Sequence, residues 1–526
     1  MIEFRGVSKQ FGSFFANRNL NFRIAPGSIH GLVGENGAGK STAMKLLFGL
    51  YPATDGQIFI QGKETKIKSP IHAMKLGIGM VHQHFMLATS ETVLDNIVLG
   101  HEVGYAFQQI LNRKEARRQL TEISNRYGLK FSKWDAFVSD LSVGEQQQVE
   151  IIKLLFQKSD VLILDEPTAV LTPQEVIELF QNLKRLKDEG KTIVLISHKL
   201  KEVLAYTDEI TVLRRGETVG TVQTSAVTED QLAEMMVGRK VSFHYSGERR
   251  IAAGMNRPQK PVLEIKNLTL RSPSTALKNS NKNLLSQISF QLRPGEILGI
   301  GGVQGNGQTE LLKYLAHPEN FASVSEGEYR IQGLHADGLD PQGLRRKGVG
   351  LVPEDRHAEG LLLNQDMTEN FLLGQQQDPR YVDFGLTAGV LSGTINRTQV
   401  RKQLDQKIKD FDIRPTTSQT LTGSMSGGNQ QKLLLARSLD ADPSILLIAH
   451  PTRGVDVGAI ELIHDVIMKE RNRGRSIVLF SSELDELFDL SDRLLVFYDG
   501  KIAAEFARSQ FDPWVVGRVM GGGTVA

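Results

Sequence analysis

Ile29-His30-Gly31-Leu32-Val33-Gly34-Glu35-Asn36-Gly37-Ala38-Gly39-Lys40-Ser41-Thr42 is the stretch that decides how this chain folds. Its first five residues form a mainly apolar stretch of strand length, and a helix-like pattern follows from Ala43 to Leu50. Between them, Gly34 to Ser41 fits the spacing GxxxxGK[ST]. A glycine loop set between a strand and a helix lets backbone N–H groups close around phosphate oxygens at the positive end of the helix. Lys40 would bring positive charge to the outer phosphates, and the Ser41 hydroxyl a ligand for a divalent cation. A glycine-rich turn that merely starts a helix would explain this loop alone, but not the motifs that follow it in order.

The pattern occurs twice. Ile297 to Gly301 leads into Gly302-Val-Gln-Gly305-Asn-Gly307-Gln308-Thr309, which keeps the loop but has Gln308 in place of Lys40. Leu164-Asp165-Glu166-Pro167-Thr168 recurs as Ile448-Ala449-His450-Pro451-Thr452, and Ser197-His198 recurs as Ser481-Ser482. One offset relates these pairs, since 449 − 165 and 482 − 198 are both 284. Val161 to Leu164 reads as a buried parallel strand ending in two carboxylates, and ligands of α/β folds sit at such carboxyl ends. Asp165 would hold a cation through water, and Glu166 would orient or deprotonate an attacking water. A lone Asp at a strand end is as often a helix cap; its company with Lys40 favours the chemical role. The repetition points to a duplicated ATPase in which one half kept its catalytic groups.

Bulk properties narrow the field. A chain of 526 residues predicts two domains of similar size. Its 62 basic and 60 acidic residues leave a net charge of +2, which offers no electrostatic argument for nucleic acid or an anionic membrane surface. The absence of cysteine excludes disulfides, Cys-ligated zinc and thiol catalysis. No apolar run reaches 18 residues and the N-terminus lacks a signal layout, so a cytosolic chain is expected unless a partner recruits it. The polar, proline-containing segment 239–261 reads as a linker between domains 1–238 and 262–519, with 520–526 as a disordered tail. Gln83 to Ser142 and Glu354 to Ser426 each read as an inserted helical subdomain.

At the end of each insertion stands another matched pair, Leu141-Ser142-Val143-Gly144-Glu145-Gln146 and Met425-Ser426-Gly427-Gly428-Asn429-Gln430. A serine with glycines before a helix makes a second anion-binding N-terminus. Alone this is a weak sign; between a phosphate loop and a double-carboxylate strand it is specific. Together these motifs resemble the tandem ATP-binding-cassette ATPases of importers, over Met1 to about Val519. The resemblance implies an α/β fold of two tandem P-loop cassettes. Each would have a RecA-like parallel-sheet core, an antiparallel β subdomain and an inserted helical subdomain carrying the signature serine.

It further implies that ATP and Mg²⁺ bind between halves packed head-to-tail, one half giving the phosphate loop and the other the signature. Carried over residue by residue, nucleotide contacts fall on Phe11 (adenine stacking), Gly34, Glu35, Asn36, Gly37, Ala38, Gly39, Lys40, Ser41 and Thr42, and on Ser426, Gly427 and Gly428. Metal contacts fall on Ser41, Gln83 and Asp165, and catalytic roles on Glu166, His198 and Gln83. A phenylalanine after a strand is more often core, so Phe11 rests on the resemblance alone.

The departures from the pattern sort by half. The first half has Lys40, Gln83, Asp165, Glu166 and His198, with a signature altered at Val143 and Glu145. The second has Gln308, Glu354, Ala449, His450 and Ser482, yet keeps Ser426-Gly427-Gly428. Head-to-tail packing would collect the intact parts in one hydrolytic site and the altered parts in one silent site. His450 could act as a base, but the neutral Gln308 and Ala449 beside it favour a structural or nucleotide-occupied site. An importer role implies two transmembrane permease subunits, an extracytoplasmic solute-binding protein, and a peripheral place on the cytoplasmic face of the inner membrane. Met80-Val-His-Gln-His-Phe-Met-Leu87, Gly305-Asn-Gly-Gln-Thr-Glu-Leu311 and Val352-Pro-Glu-Asp-Arg-His357 resemble the nucleoside branch; monosaccharide and riboflavin importers are the alternatives. Twin-cassette ATPases of ribosomes or DNA fit less well, given the short linker, the altered second site and the missing cysteines and heptads. A non-catalytic regulatory module sits poorly with the intact first-half set.

Overall fold

The computed structural model describes the chain except residues 36, 83–85, 102–103, 106–107, 130, 169–170, 172, 198, 240–259, 272–282, 388–389 and 525–526. The chain divides into two compact units, Met1–Val241 and Ser242–Ala526. Most of the expected linker falls on residues that are not described.

Each unit is built on a six-stranded sheet whose middle strand feeds the glycine loop. In the first unit the order is Glu217–Gln223, Glu209–Arg214, Ile29–Val33, Thr192–Ile196, Val161–Asp165, Ile78–Val81. All neighbours are parallel except the hairpin of the first two. Ile29–Val33 and Thr192–Ile196 are buried at every residue, which is why they read as largely apolar rather than alternating, His30 and Thr192 being buried polar exceptions. The second unit repeats this order with Lys501–Ala507, Arg493–Tyr498, Ile297–Gly301, Ser476–Ser481, Ile445–Ala449 and Val349–Val352.

A four-stranded antiparallel sheet accompanies each core, ordered Phe14–Ile24, Ile2–Phe11, Asp55–Ile60, Lys63–Glu64 in the first unit. Its counterpart is Asn283–Leu292, Leu263–Arg271, Ser325–Ile331, Leu334–His335. The helix after the phosphate loop joins the two sheets. Ala43, Met44 and Leu47 of Lys40–Leu47 pack in one cluster with Phe4, Leu20 and Ile24 from the small sheet and Leu32, Ile163 and Val194 from the large one. Burying Met44 and Leu47 completely contributes about 1.5–3 kcal/mol each. This helix begins at Lys40 and ends before Gly49 (φ 77°), three residues earlier at each end than the Ala43 to Leu50 pattern suggests.

The insertions are helical as expected. The first holds Val93–Val98 and Arg113–Tyr127 ahead of the signature helix Val143–Phe156; the second holds Met367–Leu372 and Arg397–Asp410 ahead of Gly427–Asp440. Side-chain caps set where they start: Asn112 Oδ1 accepts from Glu115 N at 3.0 Å, and Asp366 Oδ1 from Glu369 N at 2.9 Å. Each insertion also carries a β-hairpin, Gly104–Tyr105 with Gln108–Leu111 and Val382–Thr387 with Val390–Ile395, which the helical pattern does not announce. The buried Tyr381 anchors the second one, its hydroxyl donating to Asp440 Oδ2 at 2.6 Å on the signature helix. The tail is not free chain over its glycines: Gly521, Gly522 and Gly523 donate back to the helix Pro513–Met520. Among the described residues, no helix is long and apolar enough to cross a membrane.

Candidate functional site

The first phosphate loop turns on Gly39, the N-cap of Lys40–Leu47, held at φ 93°. A Cβ here would lie 2.3 Å from Asn17 Nδ2 and 2.5 Å from the Ala16 carbonyl, so only glycine fits. Gly307 repeats this at φ 109° in the second unit. Lys40 is buried, and its Nζ donates to the carbonyls of Gly34 at 2.7 Å and Glu35 at 3.0 Å. Burial pushes the lysine pKa down, against the pull of Glu166, Asp165 and Glu35. Ser41 Oγ donates to Asp165 Oδ1 at 3.2 Å, and burial holds that carboxyl above its usual range despite this bond. The loop thus brings Lys40, Ser41 and Asp165 to one end of the parallel sheet.

Glu166, half-buried, follows in the left-handed region at φ 50°, its amide donating to Ile196 O at 2.9 Å. Gly37 is exposed with open space around it; Ala38 is buried and donates its amide to Glu35 O at 3.0 Å; Thr42 is half-buried on the first helical turn. Asn36, Gln83 and His198 lie outside the described residues. Phe11 is 43% exposed, with the edge of Tyr51 at 5.2 Å and Lys9 Nζ 4.9 Å from the ring centroid, so it is a surface ring and not part of the core.

The second unit keeps the backbone and changes the side chains. His450 has φ 43° and donates its amide to Phe480 O at 2.8 Å, as Glu166 does to Ile196. Burial keeps the imidazole pKa low, opposed by Glu354 and Glu486. Glu354 accepts from Thr309 Oγ1 at 2.8 Å, and its other oxygen lies 3.9 Å from His450 Nε2 and 3.7 Å from Arg453. Gln308 donates from Nε2 to Val303 O at 3.4 Å.

The two signature serines are capped differently. Ser142 sits in a capping box: its Oγ accepts from Glu145 N at 3.2 Å, and its amide donates to Glu145 Oε2 at 3.0 Å. Lys133 pairs with Glu145 at 2.6 Å. Although burial raises the Glu145 carboxyl, Lys133 and Ser142 outweigh it and hold the pKa below the usual range. At Ser426 the matching residue is Asn429, whose Nδ2 donates to Ser426 Oγ at 2.8 Å, so this cap carries no charge. Gly427 is hemmed in, since a Cβ there would meet Arg356 at 2.7 Å and the Gly454 carbonyl at 2.8 Å.

Three features escape a motif reading. Thr168 donates to Glu202 at 2.6 Å, and Thr452 to Glu486 at 2.6 Å. Residues 202 and 486 differ by the same 284, so the repeat offset was the signal that could have found the pair. The Glu145 cap follows the Ser-x-x-Glu spacing of a capping box, which could have found it; the Thr309–Glu354 bond carries no such spacing rule. Among the described residues, no group of three or more His, Cys, Asp or Glu could hold a metal alone. Any cation here would depend on a hydroxyl, a carboxylate and phosphate oxygens, the ligand set Mg²⁺ commonly takes.

Known proteins match this architecture in sequence. The family model described as ABC transporter matches residues 17–169 and 285–453, together more than half the chain. The nucleoside import ATP-binding protein NupA of Lactococcus lactis subsp. cremoris (strain MG1363) is 41% identical over 100% of this chain and 99% of its own. The guanosine import ATP-binding protein NupO of Bacillus subtilis (strain 168) is 40% identical over 100% of this chain and 98% of its own. The ribose import ATP-binding protein RbsA of Caldanaerobacter subterraneus subsp. tengcongensis is 34% identical over 97% of each. With two phosphate loops on two matching sheets and relatives along its whole length, the chain belongs to the ABC transporter family, as a tandem-cassette, ATP-binding ATPase.

Proposed function

We propose that this ATPase drives import of nucleosides or related solutes, with one hydrolytic site and one non-hydrolytic site per chain. The observation that carries the asymmetry is the bonded set Lys40, Ser41 and Asp165 beside Glu166 in one cassette, against Gln308, Thr309, Ala449 and His450 in the other. Lys40, aimed into its loop, would neutralise phosphate charge, and Glu166 would position the attacking water. The Ser41 hydroxyl and Asp165 carboxylate fit a divalent cation shared with the phosphates. Bound Mg²⁺ would offset the charge that develops on the transferred phosphoryl group. Ser426-Gly427-Gly428 would complete this site, because its uncharged cap leaves the helix N-terminus open to an anion. The self-capped Ser142, with the Glu145 carboxylate on its amide, would repel one.

Phe11, as an exposed ring, is available to stack on adenine, a contact worth about 1–3 kcal/mol. Gln83 and His198 are assigned as catalytic by the family pattern alone. The chain would sit at the cytoplasmic face of the membrane beneath two permease subunits fed by a solute-binding protein. The nucleoside assignment leans on relatives named for nucleoside and guanosine import. Monosaccharide is the second reading, favoured by relatives named for ribose and glucose import. Co-expression with its membrane subunits tests both. ATP turnover in the reconstituted complex should rise with nucleoside-loaded binding protein and not with sugar or riboflavin. Stimulation by sugar alone would move the assignment, and co-sedimentation with ribosomes would end the importer reading.

A further inference from the structure

One side chain of the second cassette ties the signature helix to the loop after His450. Arg356 opens a single helical turn, Arg356–Gly360, whose start is fixed by Asp355 Oδ1 accepting from His357 N at 2.8 Å and Ala358 N at 3.0 Å. Its Nη1 donates to the Arg453 carbonyl at 2.8 Å, in the loop that follows His450. Its Nη2 lies against Gly427, the first residue of the signature helix. A Cβ added there would meet Nη2 at 2.7 Å, and one added to Gly454 would meet it at 3.4 Å. The guanidinium is therefore wedged between Ser426-Gly427 and Arg453-Gly454. A second bond fastens the same turn one helical turn further along, His357 Nε2 and Gln430 Oε1 being hydrogen-bonded at 2.9 Å. Gln430 is itself buried, and its Nε2 donates to Thr422 O at 3.0 Å.

The guanidinium bonds a carbonyl rather than a carboxylate, and burial lowers its pKa against the pull of Asp355. What it contributes is shape, a planar fork with donors on two sides that lysine cannot reproduce. The first cassette lacks both halves of this joint. Counting back 271, the interval from Gln83 to Glu354, puts Phe85 at the place of Arg356. Counting back 284, the interval from Ser142 to Ser426, puts Val143 at the place of Gly427. The arginine and the glycine that makes room for it thus occur together, in the cassette that keeps Ser426-Gly427-Gly428.

We propose that Arg356 is a positioning residue for ATP hydrolysis: by bridging Arg453 and Gly427 it fixes Ser426 and the loop 452–456 as one rigid piece. This rests on the reading above in which Ser426-Gly427-Gly428 completes the first cassette's site. ATP turnover would be measured against ATP concentration in the assembled transporter carrying Arg356→Ala, Arg356→Gln or Arg356→Lys, with the unfolding midpoint of each chain. Arg356→Ala should lower kcat at least tenfold, since a misplacement of about 1 Å can cost a hundredfold. KM for ATP should stay within about threefold, because Lys40 and its loop hold the nucleotide. Arg356→Lys keeps the charge but not the fork, and should stay below about a fifth of the wild-type kcat. An unchanged kcat would overturn the proposal, as would a KM that rises in step with the loss, which would make Arg356 a phosphate ligand. Full rescue by lysine, or a kcat that follows the unfolding midpoint across the three variants, would overturn it too. Normal turnover in Ser426→Ala would instead overturn the signature reading on which the proposal rests.

Discussion

Single residues carry the difference between two nearly identical backbones. Glu166 and His450 share a left-handed conformation that costs a non-glycine residue of order 1–3 kcal/mol, and both amides are pinned to the adjacent strand. The strained turn is retained while the side chain on it changes, so a variant here alters chemistry rather than fold. His30 makes a second residue-scale case. It is fully buried in the strand before the phosphate loop, with Nε2 hydrogen-bonded to Thr211 Oγ1 at 2.9 Å and Nδ1 3.6 Å from Glu209. Burial brings its pKa down to about 4 from 6.5.

Above pH 6.5 the imidazole is neutral in both folded and unfolded chains and has no effect. Between 6.5 and about 4 only the unfolded chain takes up the proton, so stability falls as pH falls. Below about 4 both forms are protonated and the loss levels off, at roughly 3 kcal/mol at most. Urea unfolding from pH 7 to pH 4 should therefore show a shallower decline for His30→Gln than for wild type. Parallel declines would contradict this account of His30.

Elements explain what could be read from the amino acids and what could not. The strand–loop–helix unit was legible twice, because its residues are contiguous and glycine, lysine and serine have fixed jobs there. Buried parallel strands of the core were legible from runs such as Val161 to Leu164, whose unbroken apolar character reflects burial on both faces. The hairpin Val382–Thr387 with Val390–Ile395 was not legible: it is short, lies inside a charged helical insertion, and is anchored by Tyr381 to an aspartate 59 residues on. Glu354 reads in the sequence only as the counterpart of Gln83, since its bond to Thr309 spans 45 residues and follows no repeat.

The signature helices show how one position alters a helix end. Glu145 binds the N-cap amide of its own helix with a charge, where Asn429 makes a neutral contact. If the two serines serve different sites, Ser426→Ala should lower ATP turnover in the assembled transporter at least tenfold, while Ser142→Ala changes it by less than about twofold. Equal sensitivity would argue against pairing of the first phosphate loop with the second signature. Replacing Glu145 by Gln, which removes the charge but keeps the cap, should leave turnover unchanged.

At the scale of the whole molecule, the chain is a duplication whose halves kept one topology and diverged in charge. The first cassette concentrates Lys40, Asp165 and Glu166 at its sheet end; the second holds Gln308, Glu354, His450 and Arg453 there. Removing the lysine and the strand-end carboxylates takes away groups that each supply several kcal/mol to phosphoryl transfer, while the fold that would hold a nucleotide remains. In the proposed function the chain is an importer engine that fires once per chain and uses its second cassette to bind. The most direct test is ATP turnover by the assembled transporter carrying Glu166→Gln or, separately, His450→Ala. The account predicts loss of at least a hundredfold for Glu166→Gln and near-normal turnover for His450→Ala. Normal turnover in the first with substantial loss in the second would contradict it.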